Sequence, residues 1–233
     1  MADKSTTDQK IVDIVKTKFP LNCRIVDNAT KHFAFIKQYL QQLSAELNAE
    51  LASTNKRYQA KYVEAESNQA EIQIGEDTVW FHLHPNLFRI SEANPAYRFS
   101  YLKDDINRAQ CAVINVYNFL TDTLINKREN DLGILIARIF INSENHFIME
   151  TRKPIGILYN DLSNDELDEQ KLKEMVGGLV LHCLEHDLIA QPYEQVQTIS
   201  YQELSRNNFS RSISGAKQLG FKFRSEEDPG LTG

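Results

Sequence analysis

Apolar residues recur at helical spacing along the first part of the chain, with polar residues filling the gaps. Ile11, Val12, Ile14, Val15 and Phe19 form one group, with Ser5, Thr6, Thr7 and Asp8 as candidate caps and Pro20 as the expected stop. A longer segment, from about Ala29 to Ser53, places Ile36, Leu40, Leu43, Leu47 and Leu51 at steps of four, three, four and four. Lys37, Gln41, Glu46 and Glu50 fall outside that stripe, so the pattern predicts a second, longer helix. A single leucine seam on a long helix resembles a coiled-coil face. Ile36, Leu40, Leu43 and Leu47 are therefore candidate residues for binding a protein partner or forming a homo-oligomer, against the alternative of packing on the chain's own sheet.

Beyond Tyr58 the period changes to two. Ile72 and Ile74 alternate with Glu71 and Gln73, Gly75-Glu76-Asp77 turns the chain, and Val79, Phe81 and Leu83 alternate with Trp80, His82 and His84. A second hairpin is expected from the apolar run Gly133 to Ile141, a turn at Asn142-Ser143-Glu144-Asn145, and a return through His146 to Glu150. Ile155 to Tyr159 can add a strand, and Cys111 to Ile125 reads as strand, then helix. Ser163-Asn164-Asp165-Glu166 has the form of a capping box, predicting a helix from there to about Ile189 with Leu172, Met175, Val176, Leu179, Val180 and Cys183 on its apolar face. Gly177 and Gly178 would weaken it by about 1 kcal/mol each unless a neighbour approaches closely.

The resulting expectation is an α+β fold: an antiparallel sheet of two hairpins covered by two long helices, with an N-terminal helix and a flexible basic C-terminal arm. The expected divisions are residues 1–54, helical; 55–204, an α+β domain; and 205–233, a basic arm and disordered tail.

Composition narrows the class without naming a chemistry. With 233 residues, 42% hydrophobic and 25% charged, the chain can bury a core, which excludes collagen-like and wholly disordered proteins. Lys+Arg 26 against Asp+Glu 32 gives a net charge of -6, so contact with nucleic acid needs a local patch. The polar start has no signal-peptide pattern and no apolar run reaches membrane length, so a cytoplasmic protein without membrane contact is expected. Cys23, Cys111 and Cys183, without a CxxC, fit buried reduced thiols.

Four groups could carry chemistry. His182-Cys183-Leu184-Glu185-His186 matches H-x-x-E-H, in which two imidazoles one helical turn apart hold zinc and the glutamate activates a water. His182 and His186 are thus candidate metal ligands and Glu185 a candidate catalytic base. A third ligand would have to come from Glu194, Glu203, His82 or His84. Trp80, His82 and His84 share one strand face, a packing surface or a two-imidazole site. Asp131 and Glu150 loosely resemble a nuclease carboxylate pair, although Glu150 is expected opposite Ala137, too far from Asp131 to share a metal. Finally, Arg206, Arg211, Lys217, Lys222 and Arg224 occur without an acid among them, interleaved with Phe209, Phe221 and Phe223. That arm could dock on an acidic partner or bind single-stranded nucleic acid. The sequence therefore predicts a non-enzymatic protein-interaction module without a cofactor, acting through a helical surface and a basic arm, with a metal-dependent hydrolase, zinc being the candidate metal, as the first alternative and a nuclease or nucleic-acid-binding protein as the second.

Overall fold

A computed structural model describes residues 6–54, 59–64, 66–129, 131–151, 162–163 and 166–186. The chain begins with a single helix, α1 (Thr6–Thr54), of 49 residues that passes through Pro20. This corrects the expected break there. Proline removes one N–H, leaving the Lys16 carbonyl without its intrahelical donor, but this turn is exposed, where water can satisfy that carbonyl. Packing resumes one turn later at Ile25 and Ala29, which are buried.

The sheet is assembled from β1 (Ala60–Val63), β2 (Gln69–Ile74), β3 (Asp77–Leu83), β4 (Phe88–Arg89), β5 (Gln110–Leu120), β6 (Ile134–Asn142) and β7 (Phe147–Thr151). It is antiparallel, in the order β1-β2-β3-β5-β6-β7, with β4 also on β5. Between β4 and β5 lie a 3₁₀ turn, Pro95–Arg98, the short helix α2 (Ser100–Asp104) and a second 3₁₀ turn, Ile106–Ala109.

Both predicted hairpins are present. Ile74 pairs with Asp77 across Gly75-Glu76, and Gly75 takes φ +59, a left-handed backbone for which glycine carries no steric penalty. In the second hairpin Arg138, not Ala137, pairs with Glu150. The strand-then-helix reading of Cys111 to Ile125 also holds, with β5 running to Leu120 before α3 (Thr121–Ile125). Ile155 to Tyr159 lies outside the described residues.

Strand alternation divides the core between the two sheet faces. On one face Ile72, Val79, Phe81, Ile114, Val116, Ile139 and Met149 share a cluster with Phe33, Ile36 and Leu40 of α1. Leu172, Met175, Val176, Leu179 and Cys183 of α4 (Glu169–Leu184) join the same cluster. The α1 helix thus shares a core with the sheet. On the other face Cys111, Val113, Phe140 and Ile148 are capped by Ile90, Ala96 and Leu102.

α4 starts later than the capping box implies. Glu166 bridges to His146 and the Leu167 amide donates to the Asn145 carbonyl, keeping the chain extended up to Asp168. Asp168 is the cap, its Oδ1 accepting from the Lys171 amide at 2.7 Å.

The two helix glycines now separate. A Cβ on Gly177 would lie 2.9 Å from the Tyr39 hydroxyl, where α1 meets α4, whereas one on Gly178 would meet nothing within 4 Å. Gly178→Ala should therefore stabilise the protein by up to about 1 kcal/mol, through helix propensity. Gly177→Ala should lose that gain against the Tyr39 hydroxyl. Paired thermal melts check this, with the Gly178 variant melting above the wild type and above the Gly177 variant.

Candidate functional site

At ~1.5 Å per residue α1 is about 74 Å long, whereas six strands at ~4.8 Å span about 24 Å. The helix must overhang the sheet. The helix packs from about Leu21 onward, and its first four turns project: residues 6–11 and 13–20 are exposed. Ile11, Ile14, Val15 and Phe19 are 55%, 59%, 39% and 58% exposed, so the apolar group of the first turns has no cover from the described residues. Val15 stands eighteen residues, about five turns, from Phe33. The two therefore share a helix face, yet Phe33 is buried in the core while Val15 is open. Ile11 and Phe19 lie within about 40° of Val15 around the axis. The stripe thus continues the core-facing surface of α1 beyond the end of the sheet.

The leucine seam occupies a different place from the one a docking role needs. Ile36 and Leu40 have no exposure and belong to the core, Leu43 packs beside it, and Leu47 is half-buried. The assignment of this seam to a partner is corrected: the shared sheet face covers it. The seam and the projecting stripe have the same apolar spacing in sequence. Only the extent of the sheet beneath them tells them apart.

In the H-x-x-E-H group, His182 is buried on α4 beside Cys183, and its ring centroid lies 4.3 Å from that of His186. The His186 Nδ1–H donates to the His182 carbonyl at 2.7 Å, so Nδ1 is occupied by that bond. Glu185 is the exposed C-terminal cap of the helix, its amide donating to the Leu181 carbonyl. Two rings can contribute nitrogens here. Among the described residues, however, no group of three His, Cys, Asp or Glu side chains could hold a metal ion. Glu194 and Glu203 lie outside the described residues, as do Arg206, Arg211, Lys217, Lys222 and Arg224. His82 and His84, the other proposed ligands, sit on the sheet.

Trp80, His82 and His84 share the sheet face opposite α1 and α4, with Glu71 and Tyr117 flanking Trp80 in register. The two imidazole centroids are 5.8 Å apart. Burial, and secondarily His84, pushes the His82 pKa below its ordinary value, favouring a neutral ring. The Asn86 amide donates to His84 Nδ1 at 3.0 Å, so a neutral His84 carries its proton on Nε2. Beyond His84, a cleft of about 310 Å³ includes Asn115, Arg138 and Glu150 over Val113 and Phe140. Glu150 pairs with Arg138 and accepts from Asn94 at 3.0 Å.

The nuclease-like carboxylates serve separate partners. Asp131 accepts from Arg128 Nε at 2.6 Å and Thr123 Oγ1 at 2.8 Å. Burial alone would raise its pKa, but these two partners outweigh it and hold the carboxyl below its usual range. Of the cysteines, Cys111 and Cys183 are buried, and burial pushes the Cys111 thiol up; Cys23, expected buried, is exposed on α1.

Sequence reasoning grouped Ile11, Ile14, Val15 and Phe19 as a helix face but not as a surface. It also missed a polar node at the β6–β7 turn. There His32 of α1 hydrogen-bonds Asn145 at 2.6 Å, and burial lowers its pKa despite that bond. Tyr101 stacks on His146 at 4.8 Å, and Arg108 lies over the Tyr101 ring while pairing with Glu144 at 3.1 Å. No described helix is long and apolar enough to cross a membrane. Comparison of the chain with family models, curated proteins and solved structures finds no match.

Proposed function

We propose that this chain is a protein-interaction module that self-associates through the projecting first turns of α1, two copies pairing antiparallel about Val15. The observation that carries the reading is the exposed stripe of Ile11, Ile14, Val15 and Phe19 on a helix that outruns its sheet. In this reading the second half of α1 and α4 cover the sheet and hold the projecting turns in place.

Several features favour a second copy as the occupant. Ile11 and Phe19 stand four residues on either side of Val15, so a two-fold axis through Val15 lays Ile11 of one copy on Phe19 of the other. The same axis sets Asp8 opposite Asn22, whereas parallel pairing would set Asp8 on Asp8 and Lys18 on Lys18. Burying one such side chain fully contributes ~1.5–3 kcal/mol, so covering the exposed halves in two copies gives about 6–12 kcal/mol gross. Association costs an estimated ~4–15 kcal/mol. With burial at the top of its range and the association cost at the bottom, the net gain is about 8 kcal/mol, which sets the expected dissociation constant at roughly the micromolar level.

Sedimentation equilibrium should show a concentration-dependent dimer that Val15→Glu converts to a monomer with an unchanged melting temperature. With Cys23 replaced by Ser, mixed Ile11→Cys and Phe19→Cys proteins should cross-link to each other, and neither alone to itself. A wild type still monomeric at about 0.1 mM, a hundredfold above the micromolar range, overturns the proposal. So does a dimer indifferent to Val15→Glu.

A further inference from the structure

Where α1 leaves the sheet it forms one wall of a second cleft, of about 320 Å³, closed on the other side by β4, the 3₁₀ turn after α2 and the start of β5. Lys18 and Arg24 reach it from α1 and Arg89 from β4. None of the three makes an ion pair with another described residue. Against them stands Asp105, whose Oδ1 already accepts from the Asn107 amide at 2.9 Å as the cap of its turn. Three cations facing one carboxylate leave an excess of about two positive charges in a protein whose net charge is -6.

We infer that this cleft binds a small phosphate monoester. A phosphoryl group carries about −1.5 to −2 charges at neutral pH, which matches the excess, whereas a single carboxylate would leave half of it unmet. Arg24 and Arg89 each carry a planar fork able to take two oxygens of a tetrahedral anion, and Lys18 supplies a further point charge to the same cleft. The volume exceeds that of a phosphate and lies at the small end of ligand sites, so it leaves room for a short body on the ester. That body meets amides: Asn107 and Asn22 both line the cleft. Both suit hydroxyl groups.

The cleft adjoins the stripe around Val15, since Asn22 also stands opposite Asp8 in the dimer, so the titration is run on the Val15→Glu chain as well as the wild type to keep the two tests apart. Calorimetric titration of the full chain at low ionic strength uses glycerol 3-phosphate, inorganic phosphate and glycerol as probes. The ester should bind with one site per chain and more tightly than inorganic phosphate, and glycerol should not bind. Arg24→Ala and Arg89→Ala should each weaken the ester at least tenfold, and Lys173→Ala, on α4, should leave it unchanged. The double variant Arg24→Lys, Arg89→Lys keeps the charge and loses the forks, and it should bind more weakly than the wild type. Absence of ester binding at millimolar concentration overturns the inference. Equal loss in the Lys173 variant also does so, since it would mark a general response to surface charge.

Discussion

Leu40→Glu is expected to abolish cooperative unfolding altogether, leaving a chain without a melting transition, while Val15→Glu on the same helix melts like the wild type. Both residues are apolar and helical, but Leu40 is fully buried and Val15 is 39% exposed. Truncating a buried leucine to alanine costs ~2–5 kcal/mol from lost transfer and the cavity left behind. Glutamate adds a carboxylate among Phe33, Ile36 and the apolar residues of the sheet and α4, where it must be desolvated or protonated, for several further kcal/mol. The sum reaches the whole stability of an ordinary domain, about 5–15 kcal/mol. Circular dichroism melts of the two variants check the contrast. A folded Leu40→Glu protein that has merely lost self-association would restore the leucine seam as an interface.

What the sequence made legible follows from how local each signal is. The Gly75 turn and the alternation around it located β2 and β3 because both signals act within a few residues. The apolar run before Asn142 located β6 in the same way. Pro20 misled because proline's penalty is local, while the helix around it is anchored downstream by Ile25 and Ala29. Ser163 to Glu166 misled because capping competes with strand pairing, and the bridge from Glu166 to His146 wins there. The distribution of exposure along α1 was not legible at all. Ile11, Val15 and Leu40 obey the same periodicity, and only the width of a sheet assembled from residues far along the chain decides which of them is covered. The cationic cleft is similarly non-local: Arg24 and Arg89 are separated in sequence by three strands and meet only because β4 folds back along β5.

Asn142→Ala should cost about 3 kcal/mol and lower the melting temperature by roughly 6–12 °C for a chain of this size. Asn142 is wholly buried at the end of β6, and its amide uses both of its ends. Oδ1 accepts from the Glu144 and His146 amides at 2.9 and 3.0 Å, and Nδ2 donates to the Tyr101 hydroxyl and the Arg108 carbonyl at 3.0 and 3.2 Å. One side chain therefore joins the β6–β7 turn to the segment that caps the second sheet face. Alanine leaves the partners unequal. Tyr101 keeps its bond to Glu144 at 2.7 Å, and the exposed Glu144 can turn its amide to water. The Arg108 carbonyl and the His146 amide lose a bond with no replacement among the described residues, and each such buried group costs ~1–3 kcal/mol. Asn142→Asp separates this account from a simple loss of volume. It keeps the shape and the acceptor but sets a second oxygen against the Arg108 carbonyl, so it should destabilise the protein as well. Amide exchange supplies the local readout, with protection falling at His146 in both variants before it falls in β5. If Asn142→Asp melts like the wild type, the contact to Arg108 contributes little and the turn is held by its backbone alone.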